Sequence, residues 1–286
     1  MKTMTLCGAL AVGIAASTGS AQSAQELLGI NVPAAQAPPT PADTGHASAE
    51  EAPFYVAWTV NPVIVGSINT KPVNQNQSTF ALDGGKIKFD LGIGTDITFG
   101  WRIPDTYFFL QISAGFTWNE VNDFSAKAPL ELTPGGREVT GALSGGSGNL
   151  YQIPIIFTPG FEFELPGGFP FMHGGLIRFG PSIGAIYQDL KVNEVSQTIN
   201  GLDVETALSF GASNWLLAYG GYLDVELFFA HNVALVMGCQ FVATSGADYG
   251  DLSVQPLLGG PVEAEDNVST NSTFTTIVKC GVSFYF

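Results

Sequence analysis

The sequence predicts an all-β chain: a closed antiparallel transmembrane β-barrel of eight strands, with ten as the alternative count, behind a disordered N-terminal tail. Three observations carry this expectation. Apolar residues recur at every second position in eight stretches, which places them on one face of a strand. The links between the stretches alternate short and long, as transmembrane barrels require. The composition is also poor in charge, with 12% charged residues where a soluble domain carries about 25%. With 35 Gly, 12% aromatics and a positive mean hydropathy, this fits strands with lipid on one face.

The N-terminus reads as an export signal. Lys2 precedes an apolar run over residues 6–16, and Gly19-Ser20-Ala21 and Ala21-Gln22-Ser23 both fit a small-x-small cleavage site. Residues 1–21 are therefore a signal peptide, far short of the roughly 20 apolar residues of a spanning helix. Cys7 follows Leu6, where a lipoprotein needs a small residue, so it is discarded with the signal. Residues 22–53 hold Pro33, Pro38, Pro39, Pro41 and Pro53 among Ala and acidic residues. Such a stretch cannot bury enough apolar surface to order itself, and it is expected to be a periplasmic tail. The alternative is a short helix over residues 25–30 at the barrel mouth. The barrel itself takes residues 54–286.

The strands follow in order. Over residues 54–64, Val56, Trp58, Val60, Pro62 and Ile64 share a parity. The second stretch, residues 87–102, sets Ile87, Phe89, Leu91, Ile93, Ile97, Phe99 and Trp101 against Lys88, Asp90, Asp96, Thr98 and Arg102. Ile103-Pro104-Asp105-Thr106 reads as a type I turn; pairing Arg102 with Tyr107 then keeps the apolar residues on one face. Strand three ends near Trp118, with Gln111, Ser113, Thr117 and Asn119 inward. Strand four, residues 150–164, holds Tyr151-Gln152-Ile153-Pro154-Ile155. Strand five, residues 176–188, points Arg178 and Ser182 inward. Strand six, residues 215–229, points Tyr222, Asp224 and Glu226 inward. Strand seven, residues 233–244, follows the turn Ala230-His231-Asn232, and Asp224 is expected opposite Gly238. The final strand alternates Val278, Cys280, Val282, Phe284 and Phe286 with Lys279, Gly281, Ser283 and Tyr285.

This ending, the Tyr151–Ile155 segment and the short-long alternation resemble the small eight-stranded bacterial outer-membrane barrels of the OmpA transmembrane-domain, OmpX and opacity-protein kind. The resemblance implies residence in the outer membrane and contact with its lipid and with the barrel-assembly machinery. It also implies that Phe286, with Phe284 and Val282, serves as the assembly signal. Short turns after strands two, four and six would lie in the periplasm with both termini. A soluble lipocalin-type barrel would have the opposite polarity, apolar inside.

Inward parity collects Lys88, Asp90, Asp96, Arg102, Glu162, Arg178, Asp224, Glu226 and Lys279. An eight-stranded barrel holds little beyond its own side chains, and buried charges must be paired. A salt-bridged plug is expected, and a narrow pathway for small solutes is the alternative. No cofactor, metal site or catalytic residue is expected. His46, His173 and His231 are scattered, with His173 and His231 in periplasmic turns, away from the outer rim where a hydrolytic barrel would need a titrating group. Gly145-Gly146-Ser147-Gly148 lacks the Lys of a phosphate cradle. The net charge of −15 becomes −16 once Lys2 is removed, so nucleic acid is a poor partner; a monomer is expected. Cys239 and Cys280 fall on the lipid-facing parity, either as thiols or as a cross-strand disulfide.

The long links carry whatever contacts the protein makes. Asn200-Gly201 between two alternating runs is a hairpin signal, and predicts that strands five and six protrude as a ribbon. Keeping Arg178 and Asp224 on one face then needs a β-bulge near residues 210–214. A second hairpin is expected around Pro134-Gly135-Gly136. The last link, residues 245–271, carries Asp248, Asp251, Glu263, Glu265 and Asp266 and no basic residue. A surface protein with an envelope-structural or adhesion role through these loops is the expected function; a channel for small solutes is the alternative.

Overall fold

The computed structural model describes residues 52–72, 83–131, 138–165, 173–199, 202–255 and 262–286. The expected signal peptide, most of the expected tail, and the expected turns at Asn200-Gly201 and Pro134-Gly135-Gly136 lie outside the described residues. Among the described residues twelve strands run in chain order: β1 (Phe54–Val65), β2 (Ile68–Asn69), β3 (Asp83–Phe89), β4 (Gly92–Arg102), β5 (Phe108–Glu131), β6 (Glu138–Leu165), β7 (Gly174–Ile199), β8 (Leu202–Ala230), β9 (Val233–Thr244), β10 (Asp248–Gln255), β11 (Val262–Ser269) and β12 (Thr273–Tyr285).

Eight of them form a ring in the order β8-β7-β6-β5-β4-β1-β12-β9, and the antiparallel pairing of β8 with β9 closes it. Closure leaves no edge in lipid, the condition for a strand-built membrane span. The other four strands are continuations of ring members. Asn61 faces Gly94 in the β1–β4 pair, and further along Ile68 faces Ile87 in the β2–β3 pair. Val65 faces Thr275, and beyond the break Thr70 bridges Thr270. β10 likewise continues β9 alongside β8. The eight-membered wall thus persists above short breaks at residues 66–67, 90–91, 245–247 and 271–272, while β5 to β8 run through unbroken.

The wall is tall. A transmembrane strand needs only about 10 residues, yet β5 alone has 24. At about 3.3 Å per residue and a tilt of about 40°, 24 residues climb about 60 Å, against an apolar band of about 25 Å. The band occupies the short-turn end. Phe54, Trp58, Ile93, Ile97, Phe99, Ile112, Phe116, Ile153, Phe157, Ile183, Leu223 and Phe284 all point outward, exposed. Trp118 and Tyr151, paired across β5 and β6, cap the band together with Tyr187 and Trp215, paired across β7 and β8. Such an aromatic girdle marks a membrane interface. Beyond it the exposed positions are mostly polar, among them Glu120, Asn122, Ser144, Ser147, Lys191, Asn193, Ser196 and Ser213.

At that level the facing of the chain inverts. In β6 the buried positions run Gly148, Leu150, Gln152 and on toward Glu162, but above the girdle they are Gly141 and Leu143, of the opposite parity. Gly145 and Gly146, with φ of +81° and +104°, make that step; a side chain would strain either position. Asn122 and Asp123 in β5, Asn193 and Glu194 in β7 and the four breaks do the same for their strands. The apolar set that meets lipid below therefore turns inward above. There Ile68, Ile87, Phe124, Leu143, Leu150, Leu190, Val192, Val195 and Phe210 form one buried cluster, and rings of Phe124 and Phe210 meet edge to face at 5.5 Å.

Several sequence expectations change accordingly. The long links after strands three and five, and most of the last one, are strands rather than loops. Arg102 pairs with Phe109 instead of Tyr107, a shift of two residues that preserves the faces. Ile103 N–H bonds Phe108 O at 3.0 Å, and Thr106 Oγ1 bonds Ile103 O at 2.8 Å and accepts from Phe108 N–H at 3.1 Å, so Tyr107 belongs to the turn. Asp105 has φ +60°, which a type I turn excludes. Arg178 and Asp224 share the inward face and Asp224 faces Gly238, as expected; Arg178 also pairs directly with Asp224, and a bulge does intervene. It lies between Val192 and Gln197, against residues 204–210, just beyond the predicted span.

Candidate functional site

The lower lumen is filled by charged and aromatic side chains that inward parity delivers from every wall strand but β9, whose inward residues are Ala234, Val236, Gly238 and Gln240. Arg178, fully buried on β7, is the centre. Its Nη1 bonds Glu226 Oε1 at 2.6 Å, its Nε bonds Glu162 Oε2 at 3.1 Å and its Nη2 bonds the Tyr285 hydroxyl at 2.8 Å. The guanidinium also lies 4.0 Å from the ring centroid of Tyr55, within cation–π range. Tyr55 stands on β1, four wall positions from β7 in either direction. One side chain therefore bridges the full width of the lumen.

Neighbouring residues complete the layer. Arg102 Nε bonds Glu162 Oε1 at 2.5 Å. Glu226 Oε2 accepts from Ser283 Oγ at 2.8 Å and from the Tyr285 hydroxyl. One level toward the girdle, Lys279 Nζ lies 3.2 Å from Asp96 Oδ2, which also accepts from Asn61 Nδ2 at 2.6 Å. Asp224 accepts from the Tyr222 hydroxyl. Higher still, Thr158 meets Ser182 at 2.8 Å and Gln152 donates to Gln188 at 2.9 Å. Gln188 donates in turn to the Tyr249 hydroxyl from β10, whose burial pushes its ionisation above the ordinary range. The apolar cluster follows. With these side chains buried and paired across its width, the lumen is filled at this level.

Asp96, Arg102, Glu162, Arg178, Asp224, Glu226 and Lys279 are thus buried together. Lys88 and Asp90 are not among them. The break at residues 90–91 reverses facing, so Ile87 is buried and Lys88 is exposed, where its Nζ bonds Asp123 Oδ2 at 2.7 Å. That bond holds the Asp123 carboxyl below its ordinary range. Asp90 is exposed and accepts from Asn122 Nδ2 at 2.5 Å. Sequence reasoning missed Tyr55 and Tyr285 as partners of Arg178, although both carry inward parity. Phe284 and Phe286 sit exposed on the outer face, with Val282 between lipid face and wall. Cys239 faces Val278 and Cys280 faces Met237, two residues out of step, and no disulfide joins them.

Fold and lumen together define a class: a small, closed transmembrane β-barrel of the outer-membrane type, with a plugged interior and a long extension past one interface. No protein-family model matches the chain, and no curated protein matches it in sequence. Among solved structures it is similar to Neisserial surface protein A, at 13% identity and a TM-score of 0.35 over 82% of this chain and 97% of that one. It is similar also to the outer membrane protease OmpT from Escherichia coli, at 8% identity and a TM-score of 0.38 over 82% and 97%. The third is the outer membrane protein OprG from Pseudomonas aeruginosa, at 12% identity and a TM-score of 0.36 over 82% and 96%. The strand pairing itself defines the barrel.

Proposed function

We propose that the protein is a non-catalytic outer-membrane surface protein that holds a rigid, polar-walled extension outside the bilayer, for envelope structure or for contact with a surface partner. The observation that carries this reading is the inversion of facing at the aromatic girdle. A barrel built only to cross lipid would end there; this one acquires a packed apolar core and a water-facing exterior over a comparable height. The stoppered lower lumen favours this over solute passage. The two described His side chains stand at the short-turn end, away from the extension. The β7–β8 ribbon is paired with β6 along one side and with β10 over Ala207–Ser209 on the other, so contact runs through the outer wall and hairpin ends. Matched deletions shortening β7 and β8, with Asn200-Gly201 kept as the turn, test the reading. Binding to host or neighbouring-cell surfaces should fall while the heat-dependent gel shift of the folded barrel persists. Unchanged binding by an intact barrel removes the contact role.

A further inference from the structure

We propose that His173 and His231 form a binding site for a divalent transition-metal ion at the short-turn end of the barrel. The two residues are far apart in sequence, but β8 lies between their strands and brings them together. His173 precedes β7, and its N–H bonds Phe228 O at 2.8 Å. His231 lies in the turn between β8 and β9, where Ala230 pairs with Val233. The imidazoles are near-parallel, at an interplanar angle of 18°, with ring centroids 5.5 Å apart. A metal ion about 2.1 Å from a coordinating nitrogen sits about 3.2 Å from that ring's centroid, so two coordinated rings can be at most about 6.4 Å apart. The observed separation of 5.5 Å falls inside this limit. The rings are stacked, so a shared ion requires a rotation that turns one nitrogen of each ring toward a common point.

Both side chains are solvent-exposed, so each can turn a nitrogen toward a shared ion at little packing cost. Among the described residues no group of three or more His, Cys, Asp and Glu converges. Water completes the coordination, and a two-imidazole set selects Cu2+ ahead of Ni2+ and Zn2+, with Mn2+ weakest. A bound ion cross-links the start of β7 to the turn before β9, on either side of β8.

The test uses the full chain, refolded in detergent and titrated calorimetrically with Cu2+, Ni2+, Zn2+ and Mn2+ at neutral pH. One ion per barrel is expected, in that order of affinity, with Cu2+ signals showing two coordinated nitrogens in electron paramagnetic resonance. His173→Ala and His231→Ala should each weaken Cu2+ binding at least tenfold, and His46→Ala should leave it unchanged. Binding that survives both ring deletions, or that is lost only with His46, overturns the proposal. Far-ultraviolet circular dichroism on each variant separates a lost site from a misfolded barrel.

Discussion

Replacing Arg178 with Met removes the one side chain that spans the lumen, and the consequence can be worked from its contacts. The substitution deletes ion pairs of 2.6 Å to Glu226 and 3.1 Å to Glu162, the 2.8 Å bond to Tyr285 and the stacking on Tyr55 at 4.0 Å. Glu162 keeps Arg102 at 2.5 Å. Glu226 keeps only hydroxyl donors, Ser283 and Tyr285. The main cost is thus one buried carboxylate without a cation, and breaking a buried pair in this way costs about 3–5 kcal/mol. With a urea dependence of about 2 kcal/mol per molar, the unfolding midpoint should fall by about 2 M. Glu226→Gln removes the stranded charge. The double variant Arg178→Met, Glu226→Gln should therefore recover at least about 1.5 kcal/mol of the summed single costs, since neighbours in one network do not add. Equilibrium unfolding in detergent micelles, followed by tryptophan fluorescence and the heat-dependent gel shift, measures all three. A loss below about 1 kcal/mol for Arg178→Met, or strict additivity in the cycle, would refute the claim that this network holds the lumen together.

The other expectations are briefer. Planar bilayers containing the protein should show no sustained conductance, and steady wild-type channels that widen on Glu226→Ala would overturn the sealed-lumen reading. Phe124→Ala opens the extension core against Phe210, 5.5 Å away, and should cost about 3–5 kcal/mol; limited proteolysis should then cut the extension while the membrane part stays protected. A Cβ at Gly100 would fall inside the Tyr55 ring; Gly100→Ala should lower refolding yield sharply, whereas Gly221→Ala, where a Cβ meets nothing closer than 3.9 Å, should not. Asp123 has a lowered folded pKa owing to its bond from Lys88. Its contribution is complete above the unfolded carboxylate pKa and is lost as pH falls through the folded value. Asp123→Asn should therefore cost under about 1 kcal/mol at pH 7, and the difference should vanish toward pH 2.

The membrane part was legible because one periodicity governs it. Lipid outside and small or polar side chains inside fix the facing of Trp58, Phe99 and Phe157, and with it the placing of Arg178, Glu162 and Lys279. The extension was not legible for the same reason: the apolar parity runs on past the girdle, so Ile87 and Phe89 read as more of the lipid face. Only the two-residue break at Asp90 and Leu91 reveals the inversion, and a break carries no periodicity of its own. Lys88 and Asp90 were misplaced by that step alone. In β6 the signal was present, since Gly145-Gly146 can take positive φ where other residues resist it, but it read as a loop. The β4–β5 register missed by two because Thr106 hydrogen bonds widen the turn, a contribution that pattern matching does not weigh. His173 and His231 meet only through strand order, which no local signal reports.

The four breaks all fall on one side of the wall. β1, β4, β9 and β12 are contiguous in the ring and each gives way to a separate upper segment, whereas β5, β6, β7 and β8 cross the girdle as continuous strands. Mechanically, the barrel has a spine and a jointed side. A sideways pull on the far end is transmitted to the membrane along continuous strands on the spine, while on the opposite flank it meets four adjacent breaks. The extension should therefore lean more readily toward the flank that carries the breaks than toward the spine.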